Sequence, residues 1–388
     1  MSERPVYLDH HATTPTDPRV VEAMLPYFTT RFGNPASVGH RYGWEAEEAV
    51  AAARHEVATF LGCTDREVIF TSGATESNNL AIKGLVPGLK ARGDHLVTTA
   101  IEHRSVLDVM KRMGRDGYRV TYVAPDATGR IDPETVAAAL TDQTILVSVI
   151  AASNEVGTIN PLSAIGPVCR ERGVPLHTDA TQAVGKVPLD VSDGSVQALS
   201  FSGHKIHGPK GIGALYLARE DPPLRLTPLF DGGGHERGAR SGTLAVPLIV
   251  GLGVACALAR QERDEESRRT ATLRDRLQRG LLSRLDGVRV NGHPADRLPN
   301  NLSATFDRVD GEGLMRSIRE IAVSSGAACT SARPEPSHVL RAIGLDEASA
   351  RATLRFGLGR FTTEADIDRS VEHVAVVVTR LRALDPRD

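Results

Sequence analysis

The sequence predicts an α/β protein with a mostly parallel central sheet, helices on both of its faces, and a smaller α+β domain following it. Three observations lead there. From about residue 44 to 217, segments with helical apolar spacing alternate with short β-rich runs, the order that builds parallel βα units. Beyond Gly253 the alternation gives way to a long, highly charged helical stretch. At 388 residues the chain also exceeds the size at which one hydrophobic core stops growing. The expected division is an N-terminal segment 1–15 packing with the small domain, a large domain 16–260, and a small domain 261–388.

Within the first region, WEAEEAVAAARHEVATFLG and SVLDVMKRM read as amphipathic helices, and EVIFTSG, HLVTTAIE, TILVSVIAA and PLHTDA as strands that end in polar residues. Ligands of open α/β sheets bind outside the carboxyl ends of the strands. The segment Thr71 to Thr75, with His103, Asn154 and Asp179, is therefore expected to gather on one edge. The stretch ALARQERDEESRRTATLRDRLQRGLLSRL is the expected helix into the small domain.

Composition narrows the function. A net charge of -2, with 41% hydrophobic and 24% charged residues, carries no basic footprint for nucleic acid or membrane. The opening MSERPVYLDH has no apolar signal core, and no run of about 18 apolar residues occurs, so a soluble cytoplasmic protein without membrane or direct nucleic-acid partners is expected. Cys63, Cys169, Cys256 and Cys329 lie far apart, which argues against a disulfide framework or a zinc site. Of 46 basic residues, six are lysine.

Those six are the candidates for amine chemistry. Lys83, Lys90 and Lys111 fall on helices as surface residues and Lys186 follows a turn, whereas Lys205 and Lys210 sit in a Ser/Gly/His-rich loop after the apolar run VQALSFS. Partial desolvation there would depress an amine pKa toward Schiff-base chemistry. Pyridoxal 5'-phosphate needs such a lysine, a phosphate cup, an acid opposite the pyridine nitrogen and a planar group over the ring. TSGATESNN follows a strand and opens a helix, so the N–H groups of Gly73, Ala74 and Thr75 would form a cradle, although a capping box of Thr75 with Asn78 is the plainer alternative. Thr75, Ser202 and His204 are nominated for the cup, Asp179 for the ring nitrogen, His103 for the ring face and Lys205 for the covalent link, with Lys210 still open. Asp179 as a helix cap and His103 as a loop histidine are the plainer readings.

With these residues placed, the sequence resembles the group I cysteine desulfurases of the class V aminotransferase family, fold type I. YLDHHATTP, RFGNPASVGHRYGWEAEEAV, FTSGATESNNLAIKG, TAIEHRSVLD, ASNEVGTINP, HTDATQAVGK, SFSGHKIHGPKGIGAL, GGGHERGARSGTLAVP, SSGAACTSARPEPSHVLRAIG and LRFGLGRFT carry the resemblance across nearly the whole chain. It implies that Lys205 binds the cofactor covalently, Asp179 and Gln182 contact its ring, His103 stacks on it and moves protons, and Asn154 lies near its ring hydroxyl. Ala74, Thr75, Ser202 and His204 would hold the phosphate, joined by Thr243 from the partner of a homodimer. Asn34 and Arg355 would hold the carboxylate of L-cysteine.

Cys329, on a loop of the small domain, would accept the sulfur as a persulfide and pass it to an acceptor such as an iron-sulfur scaffold or a tRNA-thiolation protein. No resident metal is required, though Cys329 could ligate a nascent iron-sulfur cluster. The small residues around it, Gly326, Ala327, Ala328, Ser331 and Ala332, imply a mobile loop, while Cys63, Cys169 and Cys256 read as buried structural thiols. His10 and His11, where many members have asparagine, and Ala36, Gly203 and His207 depart from the commoner pattern. A selenocysteine lyase or aminotransferase of the same fold is the neighbouring alternative, and a scaffold without turnover the one from another class.

Overall fold

The computed structural model describes residues 4–219, 223–325 and 336–384. Its large sheet runs in the order Val68–Thr71, Gly213–Leu217, Ala198–Ser202, Leu176–Asp179, Thr144–Ser148, His95–Thr99, Arg119–Val123. Gly213–Leu217 is antiparallel to both neighbours and the remaining neighbours pair in parallel, so the sheet is mostly parallel. Alternation along each strand divides the core in two. Val68 and Phe70 face one side with Val97, Val147, Leu199 and Ala214, packed by helices Arg41–Leu61 and Leu162–Glu171 and the start of a long helix, Val246–Arg284. Ile69 faces the other with Leu96, Ile145, Ala198 and Leu215, beneath helices Ala74–Leu89 and Arg104–Arg115. Strands covered on both faces read as the short apolar runs seen in the sequence.

Val246–Arg284 begins earlier than the charged stretch suggests, because its first turns are an apolar run, VPLIVGLGVACA, with Pro247 in the first turn where its missing N–H costs nothing. The helix joins two cores. Val246 to Ala259 pack on the large sheet, whereas Leu273, Leu277 and Leu281 pack against Leu302, Phe306, Leu354 and Phe356 of a second, antiparallel sheet. That sheet is ordered Ser324–Ser325, Thr353–Gly357, Asn301–Phe306, Val288–Asn291, and helix Glu364–Arg382 covers it through Ile367, Val371, Val374 and Val378. The N-terminal strand Val6–Tyr7 pairs in parallel with Ile321–Ala322, and Asp9 bridges to Gly357. The chain thereby delivers His11 to Thr13 to the mouth of the large sheet. Among the described residues, no helix is long and apolar enough to cross a membrane.

Candidate active site

A cavity of about 710 Å³ opens at the carboxyl edge of the large sheet. Residues at or just past the ends of five of its strands line it. Val68–Thr71 leads to Gly73, Ala74 and Thr75, His95–Thr99 to His103, Thr144–Ser148 to Asn154, Leu176–Asp179 to Asp179 and Gln182, and Ala198–Ser202 to Ser202, His204 and Lys205. Arg355 reaches the same cavity from the second sheet, and His11, Ala12 and Thr13 close it from the N-terminal segment.

Lys205 Nζ donates to the carbonyls of His11, at 2.5 Å, and Ala12, at 2.6 Å. Burial, with Arg355 nearby, pushes its pKa down to about 8 against the opposing pull of Asp9 and Asp179. A neutral amine is thus accessible near physiological pH, the state that attacks an aldehyde. Lys210 lines the cavity from an exposed position. Asp179 is buried: Oδ1 accepts from the Thr181 N–H at 3.0 Å and Oδ2 from Asn78 Nδ2 at 2.7 Å. Gln182 donates to the His11 carbonyl at 3.0 Å while its Oε1 lies 2.9 Å from His11 Nδ1. Since a carbonyl can only accept, Gln182 Nε2 must face it, and His11 therefore carries its proton on Nδ1.

Ala74 and Thr75 open helix Ala74–Leu89, and their N–H groups lack a carbonyl four residues back within it. Gly73 caps it at φ 146°, ψ 178°, a conformation essentially reserved for glycine. The first turn therefore faces the cavity beside buried Ser202 and beside His204, whose pKa is lowered to about 4 by burial and by Lys205 and Lys210. A neutral histidine, a hydroxyl and a helix N-terminus suit a phosphate group. The alternative capping box is absent: Gly73, not Thr75, is the N-cap, and Asn78 turns inward to Asp179 and to Ser105 Oγ, at 2.8 Å.

Two nominated residues lie away from this cavity. Asn34 is exposed, in the segment before helix Arg41–Leu61, and its Oδ1 accepts from the Ala36 N–H at 3.0 Å. Thr243 is likewise exposed and lines no part of it. Cys329 lies outside the described residues. Cys169 and Cys256 are buried as expected, but Cys63 is only partly so, its thiol pushed up to about 12 chiefly by burial.

Sequence reasoning missed Asp9 and Ser324, which hold the nominated Arg355. Arg355 Nη2 donates to Asp9 Oδ1 at 2.9 Å and to Ser324 Oγ at 2.8 Å, and Nη1 to the Asn154 carbonyl at 3.2 Å, so this arginine is a structural ion pair and a cavity residue at once. Asp9 in YLDHH was visible as a lone acid in a strand-like run, but its partner lies 346 residues away. His207, one of the departures, packs as a buried ring with its pKa lowered to about 3 by burial and by Lys186.

Among known families, aminotransferase class-V matches residues 6–369. The chain belongs to that family. A relative from Anaeromyxobacter dehalogenans (strain 2CP-C), named cysteine desulfurase IscS, is 53% identical over 382 residues, 98% of this chain and 94% of the relative. A solved NifS-like protein superposes with a TM-score of 0.90 at 36% identity, covering 97% of this chain and 100% of its own. A structure titled SspA in complex with cysteine gives a TM-score of 0.81 at 39% identity, over 92% and 99% of the two chains. Within the family the chain is a group I cysteine desulfurase of fold type I, dependent on pyridoxal 5'-phosphate. The cavity fits that cofactor: it presents an amine of lowered pKa, a helix N-terminus with phosphate donors, and a buried carboxylate.

Proposed function

We propose that the protein converts L-cysteine to L-alanine and carries the removed sulfur as a persulfide on Cys329. The observation that supports this most is the convergence of Lys205, Asp179 and Arg355 on one cavity. When bound, pyridoxal 5'-phosphate supplies an electron sink that stabilises negative charge at the substrate Cα. Lys205 would hold it covalently, with Ala74, Thr75, Ser202 and His204 at its phosphate, Asp179 and Gln182 at its ring, and Asn154 near its ring hydroxyl. Released by the incoming amino group, Lys205 Nζ would take the Cα proton, a role its lowered pKa suits. Arg355 would hold the substrate carboxylate. His103 would pack over the ring and exchange protons at the cavity face. The Cys329 thiolate would attack the substrate sulfur, so that an S–S bond forms as the Cβ–S bond breaks, and the carbon fragment would gain protons to leave as alanine.

The finer reading includes a cytoplasmic homodimer in which Thr243 reaches the partner's cofactor phosphate, consistent with its exposed position away from its own cavity. Asn34, equally exposed, is kept as a carboxylate contact on the same terms. The persulfide would feed an iron-sulfur scaffold or a tRNA-thiolation protein. The test is the cofactor-loaded protein given L-cysteine and a reducing thiol, with alanine and sulfide measured together. Equal amounts of both are expected, and Cys329→Ser should lose sulfide release while keeping the cofactor's absorbance. Undiminished turnover in that variant would overturn the assignment of Cys329.

A further inference from the structure

We propose that Asn78 and Ser105 are positioning residues that hold the His103 ring with its proton on Nε2 and tie that ring to Asp179. This rests on the desulfurase reading of the cavity. The bonds run in a single direction. Asp179 Oδ2 accepts from Asn78 Nδ2 at 2.7 Å, the same amide nitrogen donates its second hydrogen to Ser105 Oγ at 2.8 Å, and Ser105 Oγ lies 2.7 Å from His103 Nδ1.

Each orientation is enforced by chemistry. An ionised carboxylate only accepts, so the amide nitrogen of Asn78, and not its oxygen, must face Asp179. The Asn78 nitrogen must then donate to Ser105, whose own hydrogen is left for His103. A second bond fixes the last step: the backbone N–H of Ser105 donates to the same Nδ1 at 3.2 Å. A main-chain N–H cannot reverse, so Nδ1 is an acceptor and the neutral ring carries its hydrogen on Nε2. Nε2 has no hydrogen-bond partner among the described residues, and His103 lines the cavity.

Burial gives the bridge its stiffness. Asn78 is 0% and Ser105 9% exposed. Asn78 even leaves its Oδ1 without a partner among the described residues, a cost accepted at a position whose nitrogen serves two neighbours. The amide carries no transferable proton in this arrangement, so the bridge orients rather than conducts. His103 therefore enters the reaction as a hydrogen-bond donor at Nε2, and any proton it exchanges with the substrate passes through that atom.

The test uses the cofactor-loaded enzyme with isotope-labelled histidine nitrogens, His103 being assigned by its loss in His103→Gln, at a pH where the ring is neutral. Long-range proton–nitrogen correlation should show Nδ1 bare and Nε2 protonated. Ser105→Ala, which keeps the main-chain N–H on Nδ1 but removes the hydroxyl, should retain the Nε2–H tautomer, shift the Nδ1 resonance and lower kcat by about tenfold, a fraction of the ~10²–10⁴ that a positioned acid–base group contributes, with KM unchanged. Ser105→Thr, which keeps the hydroxyl, should restore both. A proton on Nδ1 in the unsubstituted enzyme, or an unshifted Nδ1 resonance with unchanged kcat in Ser105→Ala, would overturn the proposal. Alanine release by the unsubstituted enzyme reports on the desulfurase reading separately, since the tautomer is read from the spectrum whether or not alanine forms.

Discussion

Lys205 owes its reactivity to where its amine is kept. Burial and Arg355 lower its pKa from 10.5 to about 8, so the free base becomes abundant about two and a half decades of proton concentration earlier than for an ordinary lysine. Acylation of the cofactor-free protein, followed residue by residue by mass spectrometry, should therefore show half-maximal labelling of Lys205 near pH 8; a midpoint near the ordinary 10.5 would contradict the electrostatic account. Lys205→Ala should abolish borohydride fixation of the cofactor, and Lys210→Ala should leave it intact. The sequence could reduce six lysines to these two because both sit in a polar loop after an apolar strand. Loop position alone could not separate them, and the family resemblance chose Lys205, because the carbonyls that grip it come from residues 193 and 194 positions away. Asn78 was misleading for a similar reason: three residues after Thr75 it has capping-box spacing, but the buried carboxylate across the sheet edge outcompetes a local cap.

At the scale of elements, the junction of strand Val68–Thr71 with helix Ala74–Leu89 turns backbone geometry into a binding site. Gly73 sits at φ 146°, ψ 178°, and the close approach of Gly213 to its backbone, where an added Cβ would come within 2.7 Å, leaves the turn little room to relax. Gly73→Ala should cost about 1–3 kcal/mol of backbone strain and weaken cofactor retention by misaiming the N–H groups of Ala74 and Thr75. Denaturant melts and cofactor titration would check the two effects; full affinity with unchanged stability would mean that the turn is not strained by a side chain. These strands and helices were legible because burial on both faces writes each strand as a short apolar run. The start of Val246–Arg284 was not, because its apolar first turns look the same as a buried strand when read without their neighbours.

The whole molecule is held at its junction by a buried charge cluster that links the N-terminal segment, the middle of the long helix and the loop after the second sheet. Arg360 donates to Glu266 at 2.9 Å and to Asp17 at 2.7 Å, and Lys186 adds a second contact to Glu266 at 3.1 Å. Arg360 and Asp17 are 11% and 2% exposed, so removing the arginine takes one cation from each of two buried carboxylates, Asp17 keeping Arg19 and Glu266 keeping Lys186. Arg360→Ala should cost about 1.5–3 kcal/mol, the worth of lost hydrogen bonds between charged groups, whereas Arg19→Ala, at a side chain 50% exposed, should cost only ~0.2–1 kcal/mol. The cluster also sets the acid limit. Although burial alone would raise it, Lys186 and Arg360 bring the Glu266 pKa down from 4.5 to about 2. A carboxylate with a lowered folded pKa stabilises the protein fully above its unfolded value, and that contribution disappears as pH falls from about 4.5 to about 2. Denaturant titrations across that window should show stability declining in the unsubstituted protein. In Arg360→Ala the decline should begin at higher pH, because Glu266 retains Lys186 but loses its second cation. An identical pH dependence in the two proteins would remove the cluster from the account of how the two cores are joined.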